Sequence, residues 1–121
     1  MKITRLDISG SDDRGYTAEY YHERIGQSLI IFRKAGTVSG RHYHKGLSLT
    51  KKPEIFYLLH GTCTLNWRSV NDTEIQTAEL IGPVRLEILP FTWHELIMQT
   101  DCTCLELNSI SDHQKDTFYL P

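Results

Sequence analysis

The sequence has no long apolar run and no strong excess of one charge. Its 121 residues include 13 Lys and Arg against 15 Asp and Glu, for a formal net charge of -2. A transmembrane helix needs about 20 apolar residues in succession, and nucleic-acid binding proteins usually carry a basic surface. We therefore expect neither a membrane nor a nucleic acid as partner.

Cysteine is also scarce, and the few cysteines do not form a metal-binding pattern. Cys63, Cys102 and Cys104 are the three present, and no Cys-x-x-Cys pair occurs. This argues against a zinc ribbon, which needs two such pairs. An odd number of cysteines behind an N-terminus without an apolar leader predicts reduced thiols in a cytoplasmic protein. We expect the three side chains to be small core residues.

No segment keeps the apolar period of a helix for three turns. Short runs rich in Ile, Leu, Val, Tyr and Thr alternate with turn residues instead, which predicts strands. The predicted strands are Ile3–Ile8, Tyr16–His22, Ser28–Lys34, Gly40–His44, Glu54–Leu59, Cys63–Arg68, Glu74–Leu80, Val84–Leu89, His94–Gln99 and Cys102–Asn108. Many short strands in a chain of single-domain length indicate an all-β sandwich or small barrel.

The residues best suited to chemistry begin with His42 and His44, which follow the turn between Gly36 and Gly40. Side chains two positions apart on a strand point to the same face, so both imidazoles are expected to project into one cavity. Imidazole suits metal ligation and acid–base catalysis equally well near neutral pH, and the residues alone leave both open. Glu54 and His94 would complete a set of nitrogen and oxygen ligands.

Other charged or aromatic residues carry less information. Glu54 itself could be a ligand, a partner that orients an imidazole, or a solvated carboxylate. Lys51-Lys52, His60 and His113 are expected on the surface, as is His22, because they belong to no motif. Arg33 and Arg41 are candidates for a diphosphate contact through bidentate hydrogen bonds, although arginines on strands are usually plain surface. The tyrosines that could donate a proton are Tyr16, Tyr20, Tyr57 and Tyr119.

These histidines lie in a pattern that resembles a known family. Gly36-x5-His42-x-His44, then Glu54-x6-Gly61, resembles the first cupin motif, and Pro90-x3-His94 resembles the second. Nine residues, 45–53, separate His44 from Glu54, where the usual motif has three or four. Between about Asp13 and Tyr119 the chain is similar to the sugar-modifying cupins, which include dTDP-sugar keto-isomerases and epimerases and the C-terminal cupin domains of capsular polysaccharide biosynthesis enzymes.

The resemblance implies a single antiparallel cupin domain over residues 1–121, folded as a jelly-roll barrel or double-stranded β-helix. It implies binding of a small carbohydrate, a nucleotide-linked keto-sugar, with isomerisation or epimerisation. His42 or His44 would then remove the proton next to the ketone. A divalent metal, whether Zn, Fe, Mn or Ni, is expected on His42, His44, Glu54 and His94.

Two other functions fit the same histidine pattern. One is a metal-dependent dioxygenase-type cupin, which needs the metal ligands but no sugar contacts. The other is a binding module for a metal or small ligand without catalysis. An exposed edge strand near Ile3–Ile8 also predicts a homodimer formed by strand pairing.

Overall fold

A computed structural model describes all residues, 1–121, and shows eleven strands and one short helix. The helix α1 spans Ile110–Lys115. The strands are β1 Lys2–Arg5, β2 Ile8–Asp12, β3 Gly15–Ala18, β4 Leu29–Arg33, β5 Val38–His42, β6 Glu54–His60, β7 Thr62–Ser69, β8 Gln76–Ile81, β9 Val84–Ile88, β10 Thr92–Met98 and β11 Cys102–Glu106. No helix is long and apolar enough to cross a membrane.

The strands form two facing sheets and one separate hairpin. The five-stranded sheet has the order β1-β9-β6-β11-β4, the four-stranded sheet has the order β5-β10-β7-β8, and β2 pairs with β3. Every pairing is antiparallel, so the predicted all-β, antiparallel architecture is confirmed. β1 is an edge strand, and a dimer through it stays a prediction.

The core lies between the two sheets and follows the alternation read from the sequence. Val84, Leu86 and Ile88 are buried, whereas Arg85 and Glu87 on the other face of β9 are partly exposed. The three cysteines are buried and unpaired, as predicted. The cluster that joins the sheets consists of Phe56, Leu58, Cys63, Leu65, Leu80, Val84, Leu86, Ile88, Leu96, Met98, Cys102 and Cys104.

A bulge between β5 and β10 places two histidines opposite each other. His42 pairs with His94 and Gly40 pairs with Glu95, with a shift of register between His94 and Glu95. Gly40 has φ +91°, and a Cβ there would lie 2.7 Å from the carbonyl oxygen of His94. Only glycine allows the two backbones to approach this closely, so this residue sets the position of the histidines.

The N-terminal strands differ from the prediction. The predicted strand Ile3–Ile8 is divided between β1 and β2, and Tyr16–His22 is shortened to β3. The turn between β2 and β3 explains part of this, because the Asp12 carboxylate accepts a hydrogen bond of 2.8 Å from the backbone N–H of Arg14. Asp side chains favour such local bonds over a continuing strand.

The helix α1 and the chain that follows it were not predicted. The Ser109 side chain caps the helix by accepting a hydrogen bond of 3.0 Å from the backbone N–H of Asp112. After the helix, the Asp116 carboxylate accepts from the backbone N–H groups of Lys45 at 2.8 Å and Ser48 at 3.1 Å. The C-terminal segment therefore holds the loop 45–53 in place.

Candidate functional site

Three histidines converge inside the barrel. The candidate ligand nitrogens of His42, His44 and His94 all lie within 4.8 Å of one another. The ring centroids are 4.9 Å apart for His42 and His44, and 5.0 Å apart for His42 and His94. The two imidazoles of the His-x-His motif thus converge, although β5 ends at His42 and His44 lies just beyond it. The third predicted histidine joins them from β10.

Backbone carbonyls fix the orientation of two of these rings. The Nδ1–H of His44 donates to the carbonyl oxygen of Asp116 at 2.6 Å, and that of His94 donates to the carbonyl oxygen of Thr92 at 3.0 Å. A carbonyl oxygen can only accept, so each Nδ1 carries the hydrogen and the other nitrogen, Nε2, faces inward. Histidine ligands of metals are usually held in this way.

Glu54 is the first residue of β6 and is only 1% exposed. Its Oε2 atom touches the Nε2 of His44 and lies 3.0 Å from the Nζ of Lys51. Burial by itself would raise the pKa of Glu54, but the contacts with His44 and Lys51 hold that pKa well below its usual value. The carboxylate is therefore ionised at neutral pH.

The contact between His44 and Glu54 indicates that a positive charge lies beside these two side chains. Nε2 of His44 is buried and has no well-formed hydrogen bond, although it lies against the carboxylate oxygen. An imidazole lone pair and a carboxylate oxygen repel each other unless a proton or a cation lies beside them. Lys51 Nζ, 3.0 Å from the same oxygen, supplies positive charge there. The three converging imidazoles are a donor set that fits a divalent transition metal.

His42 and His94 are uncharged at neutral pH. Burial, together with the neighbouring His94 and His44, lowers the pKa of His42 to about 3. Burial also lowers the pKa of His94. Neutral imidazole is the form that binds a metal or accepts a proton.

A cavity of about 200 Å³ opens onto this cluster. Its volume is below the roughly 300–1,000 Å³ of most ligand pockets, so it suits a group no larger than one sugar ring. The polar lining consists of Arg33, Ser39, His42, Glu54, His94, Glu106 and His113. His44 does not line the cavity. A larger, open depression beside the β2–β3 turn is far more exposed and contains no histidine.

Two residues that were predicted to lie on the surface belong to the site. Lys51 is 0% exposed, and its Nζ lies 3.1 Å from the Nδ1 of His113. The ring of His113 lies 5.3 Å from that of His42, and burial lowers the pKa of His113 to about 4. The predictions for Lys51 and His113 were wrong because the C-terminal segment folds back over the loop 45–53. No pattern within either segment indicates that contact.

Glu106 was not among the predicted site residues, although the alternation of side chains on β11 indicates its inward position. It continues the inward-facing positions Cys102 and Cys104 on β11. Burial, and then the charge of Glu54, raise the pKa of Glu106 to about 7. Its Oε2 lies 3.8 Å from Lys51 Nζ, so it forms the inner wall of the cavity beside the lysine.

The other candidate site residues differ in whether they lie at the cavity. Arg33 lines the cavity, and its Nε donates to Ser39 Oγ at 2.8 Å. Arg41 instead pairs with Glu95 at 2.9 Å, and its side chain is 64% exposed. His60 is exposed, as predicted. Tyr119 is exposed, and its ring centroid lies 6.2 Å from that of His42.

Sequence comparison places the chain in a family. A family model described as "Polysaccharide biosynthesis C-terminal domain" matches residues 10–118, which is most of the chain. No curated protein matches the sequence.

Solved structures of sugar-modifying enzymes have the same fold. A QdtA 3,4-ketoisomerase from Thermoanaerobacterium thermosaccharolyticum, in complex with TDP, is 22% identical over 98% of this chain and 86% of its own, with a TM-score of 0.74. The epimerase RmlC from Legionella pneumophila is 16% identical over 98% of this chain and 71% of its own, with a TM-score of 0.67. These similarities confirm the cupin-type barrel.

A third similar structure is the capsular polysaccharide assembling protein CapF from Staphylococcus aureus. It is 26% identical over 95% of this chain, with a TM-score of 0.64. The chain covers 34% of CapF, so it corresponds to about a third of that protein.

Proposed function

Because the chain belongs to the polysaccharide biosynthesis C-terminal domain family, we propose that it binds a nucleotide-linked keto-sugar and isomerises or epimerises it. The observation that carries this proposal is the position of His42, an uncharged imidazole that lines the cavity beside an ionised, buried carboxylate. His44 and His94 use Nδ1 for backbone hydrogen bonds. The ring of His42 makes no hydrogen bond within the protein and is free to act on a ligand.

The size of the cavity favours a sugar ring over a whole sugar nucleotide. At about 200 Å³ it encloses the ring, while the nucleotide remains outside. Arg33 lies at the cavity with its Nε fixed by Ser39, where a guanidinium can bind a diphosphate. The substrate class is supported by the ligands of similar structures, which are TDP in QdtA and dTDP-4-keto-L-rhamnose in RmlC.

In the proposed reaction, His42 removes the proton from the carbon next to the ketone. The electron pair of the broken C–H bond moves onto the ketone oxygen and gives an enediolate, while His42 becomes an imidazolium. Return of this proton to the former ketone carbon, with transfer of the adjacent hydroxyl proton to the former ketone oxygen, moves the ketone. Inversion instead needs a second proton donor on the opposite face of the ring, which delivers a proton to the original carbon while His42 keeps the one it removed. His42 is a weak base in the empty cavity, but the negative enediolate raises its proton affinity as the proton transfers.

A divalent metal is an alternative occupant of the same residues, and in that version His42 is a ligand and not the base. His42, His44 and His94 would hold it, because two of the three rings are already fixed by carbonyl acceptors and all three nitrogens converge. A bound divalent ion would stabilise negative charge on the ketone oxygen as a Lewis acid. Zn, Fe, Mn and Ni all remain candidates within this proposal.

The test is hydrogen exchange at the carbon beside the ketone. Wild-type protein in heavy water is expected to wash deuterium into a dTDP-, UDP- or GDP-linked 4-keto-sugar. His42→Asn should exchange about 10²–10⁴-fold more slowly, because asparagine cannot accept a proton at neutral pH. His60→Asn, which changes an exposed histidine outside the cavity, should exchange at the wild-type rate.

Absence of exchange by wild-type protein with all three sugar classes would overturn the isomerase proposal. The three-histidine cluster then favours the dioxygenase-type cupin, because neutral imidazoles bind iron and nickel as well. Oxygen uptake by the metal-loaded protein identifies that function. Ligand binding without either reaction identifies a binding module.

A further inference from the structure

Lys51 is the one lysine that the fold buries completely. It lies near the end of the loop 45–53, the nine residues that separate His44 from Glu54. The backbone of Lys51 forms an isolated antiparallel bridge with Glu54, which turns its side chain back toward that carboxylate. The longer separation between the two motif residues therefore brings a cation into the site.

The ammonium group of Lys51 has three acceptors close by. They are Glu54 Oε2 at 3.0 Å, His113 Nδ1 at 3.1 Å and Glu106 Oε2 at 3.8 Å. An ammonium group has three N–H donors, and a buried charge is costly unless it is paired and hydrogen-bonded. Lys51 meets both conditions, so its position is built into the site.

We propose that Lys51 is the resident cation of this site and keeps the Glu54 carboxylate out of the coordination shell of a metal. The Oε2 atom of Glu54 already touches both His44 and Lys51. A divalent ion that bound the same carboxylate would lie close to the ammonium, and two positive charges in a buried site repel strongly. An ion held by His42, His44 and His94 thus receives only imidazole ligands from the protein.

This arrangement selects between metals. Imidazole ligands suit Zn²⁺ and Ni²⁺, whereas Mn²⁺ prefers carboxylate and other oxygen ligands. With Glu54 withdrawn by Lys51, the site favours Zn²⁺ over Mn²⁺. The inference rests on the proposed metal site, but it does not depend on which sugar, if any, is the substrate.

The experiment compares metal binding by chelator-treated variants in the absence of sugar. Zn²⁺ affinity is measured by competition with a chromogenic chelator and Mn²⁺ binding by electron paramagnetic resonance. Lys51→Met is expected to bind Zn²⁺ at least about tenfold more tightly than wild type, because the repelling charge is gone, and to gain measurable Mn²⁺ binding. Lys51→Met/Glu54→Gln should lose that gain. Lys52→Met, which removes the same charge from the exposed neighbouring position, should bind as wild type does.

Glu54→Gln in the wild-type background gives an independent result. If Lys51 already holds Glu54, the Zn²⁺ affinity of this variant stays close to wild type, and a loss of about tenfold or more overturns the proposal. Failure of Lys51→Met to gain affinity overturns it as well. Lys51→Met leaves a buried carboxylate without its cation and is expected to be less stable, so each variant is measured below its own thermal unfolding transition.

Discussion

At the scale of single residues, the three histidines differ in what their ring nitrogens contact. His44 donates from Nδ1 to the Asp116 carbonyl, and its Nε2 lies buried against Glu54, so the protein fixes the position of its ring. His42 has the opposite character, since it lines the cavity and makes no internal hydrogen bond. One sequence motif therefore supplies one residue that is held within the protein and one that faces the cavity.

This difference predicts unequal effects of the same substitution on stability. His44→Asn leaves the Asp116 carbonyl and the Glu54 carboxylate without their buried partner and is expected to cost about 1–3 kcal/mol of unfolding free energy. His42→Asn removes no internal hydrogen bond and should cost clearly less. Denaturant unfolding of both metal-free variants measures this, and equal costs would contradict the division of roles.

Glu106 makes a prediction about pH. Its pKa is about 7 in the folded protein and about 4.3 when unfolded, so the folded state holds a proton between these values that the unfolded state has lost. The stability contributed by protonated Glu106 is complete below about pH 4.3 and is lost as pH rises to about 7.

Glu106→Gln cannot ionise, so its stability relative to wild type should improve as pH rises across that window. The slope should be at most about 1.4 kcal/mol per pH unit. Thermal or denaturant unfolding at several pH values from 5 to about 8 provides the measurement. The exposed Glu74→Gln serves as the matched control, and its curve should run parallel to that of wild type.

At the scale of elements, the strands could be predicted because their apolar period is local. The alternation on β9 and on β10 follows directly from residues two positions apart. The convergence of His42 and His44 has another cause, because the predicted strand Gly40–His44 ends at His42 and Arg41 has φ 63°. Helix α1 has only six residues, too few for an apolar period to appear. Lys51 and His113 meet across 62 positions of sequence, and no pattern within either segment indicates that contact.

Two glycines from the histidine motif allow a test of the bulge in β5. Gly36 and Gly40 both have positive φ, but a Cβ on Gly36 meets nothing within 4 Å, whereas one on Gly40 meets the His94 carbonyl at 2.7 Å. Gly36→Ala should therefore cost only the left-handed backbone penalty, about 1–2 kcal/mol. Gly40→Ala adds a backbone clash and should cost at least about 3 kcal/mol.

Only Gly40→Ala should also slow the proposed deuterium exchange, because the clash displaces His94 opposite His42. Unfolding free energies and the deuterium exchange rate of both variants are the measurements. Equal stability losses in the two variants would show that the close approach of β5 to β10 is not what requires glycine.

At the scale of the whole molecule, the thiols report on the integrity of the core. Burial raises the pKa of Cys63 and of Cys104 to about 12, and it also raises the pKa of Cys102. Thiolate, not thiol, is the reactive form. At pH of about 8 the folded protein should therefore react with a disulfide reagent only as fast as it unfolds.

In denaturant, all three thiols should react at once. The reaction is followed by the absorbance of the released thiolate. Rapid reaction of even one thiol in the folded protein would show that the two sheets separate locally without global unfolding. A disulfide is not expected at any stage, because the three cysteines are free in the folded chain.

The contacts of Asp116 have a consequence for the order in which the protein is made. Synthesis runs from the N-terminus, and early parts of a chain can fold before the rest exists. All eleven strands are complete by Glu106, so a nascent barrel can close while residues 109–118 are still missing. Until then His44 has no carbonyl to orient it, and the loop that carries Lys51 has no anchor. The barrel can therefore assemble first, and the site becomes competent only when the last part of the domain emerges from the ribosome.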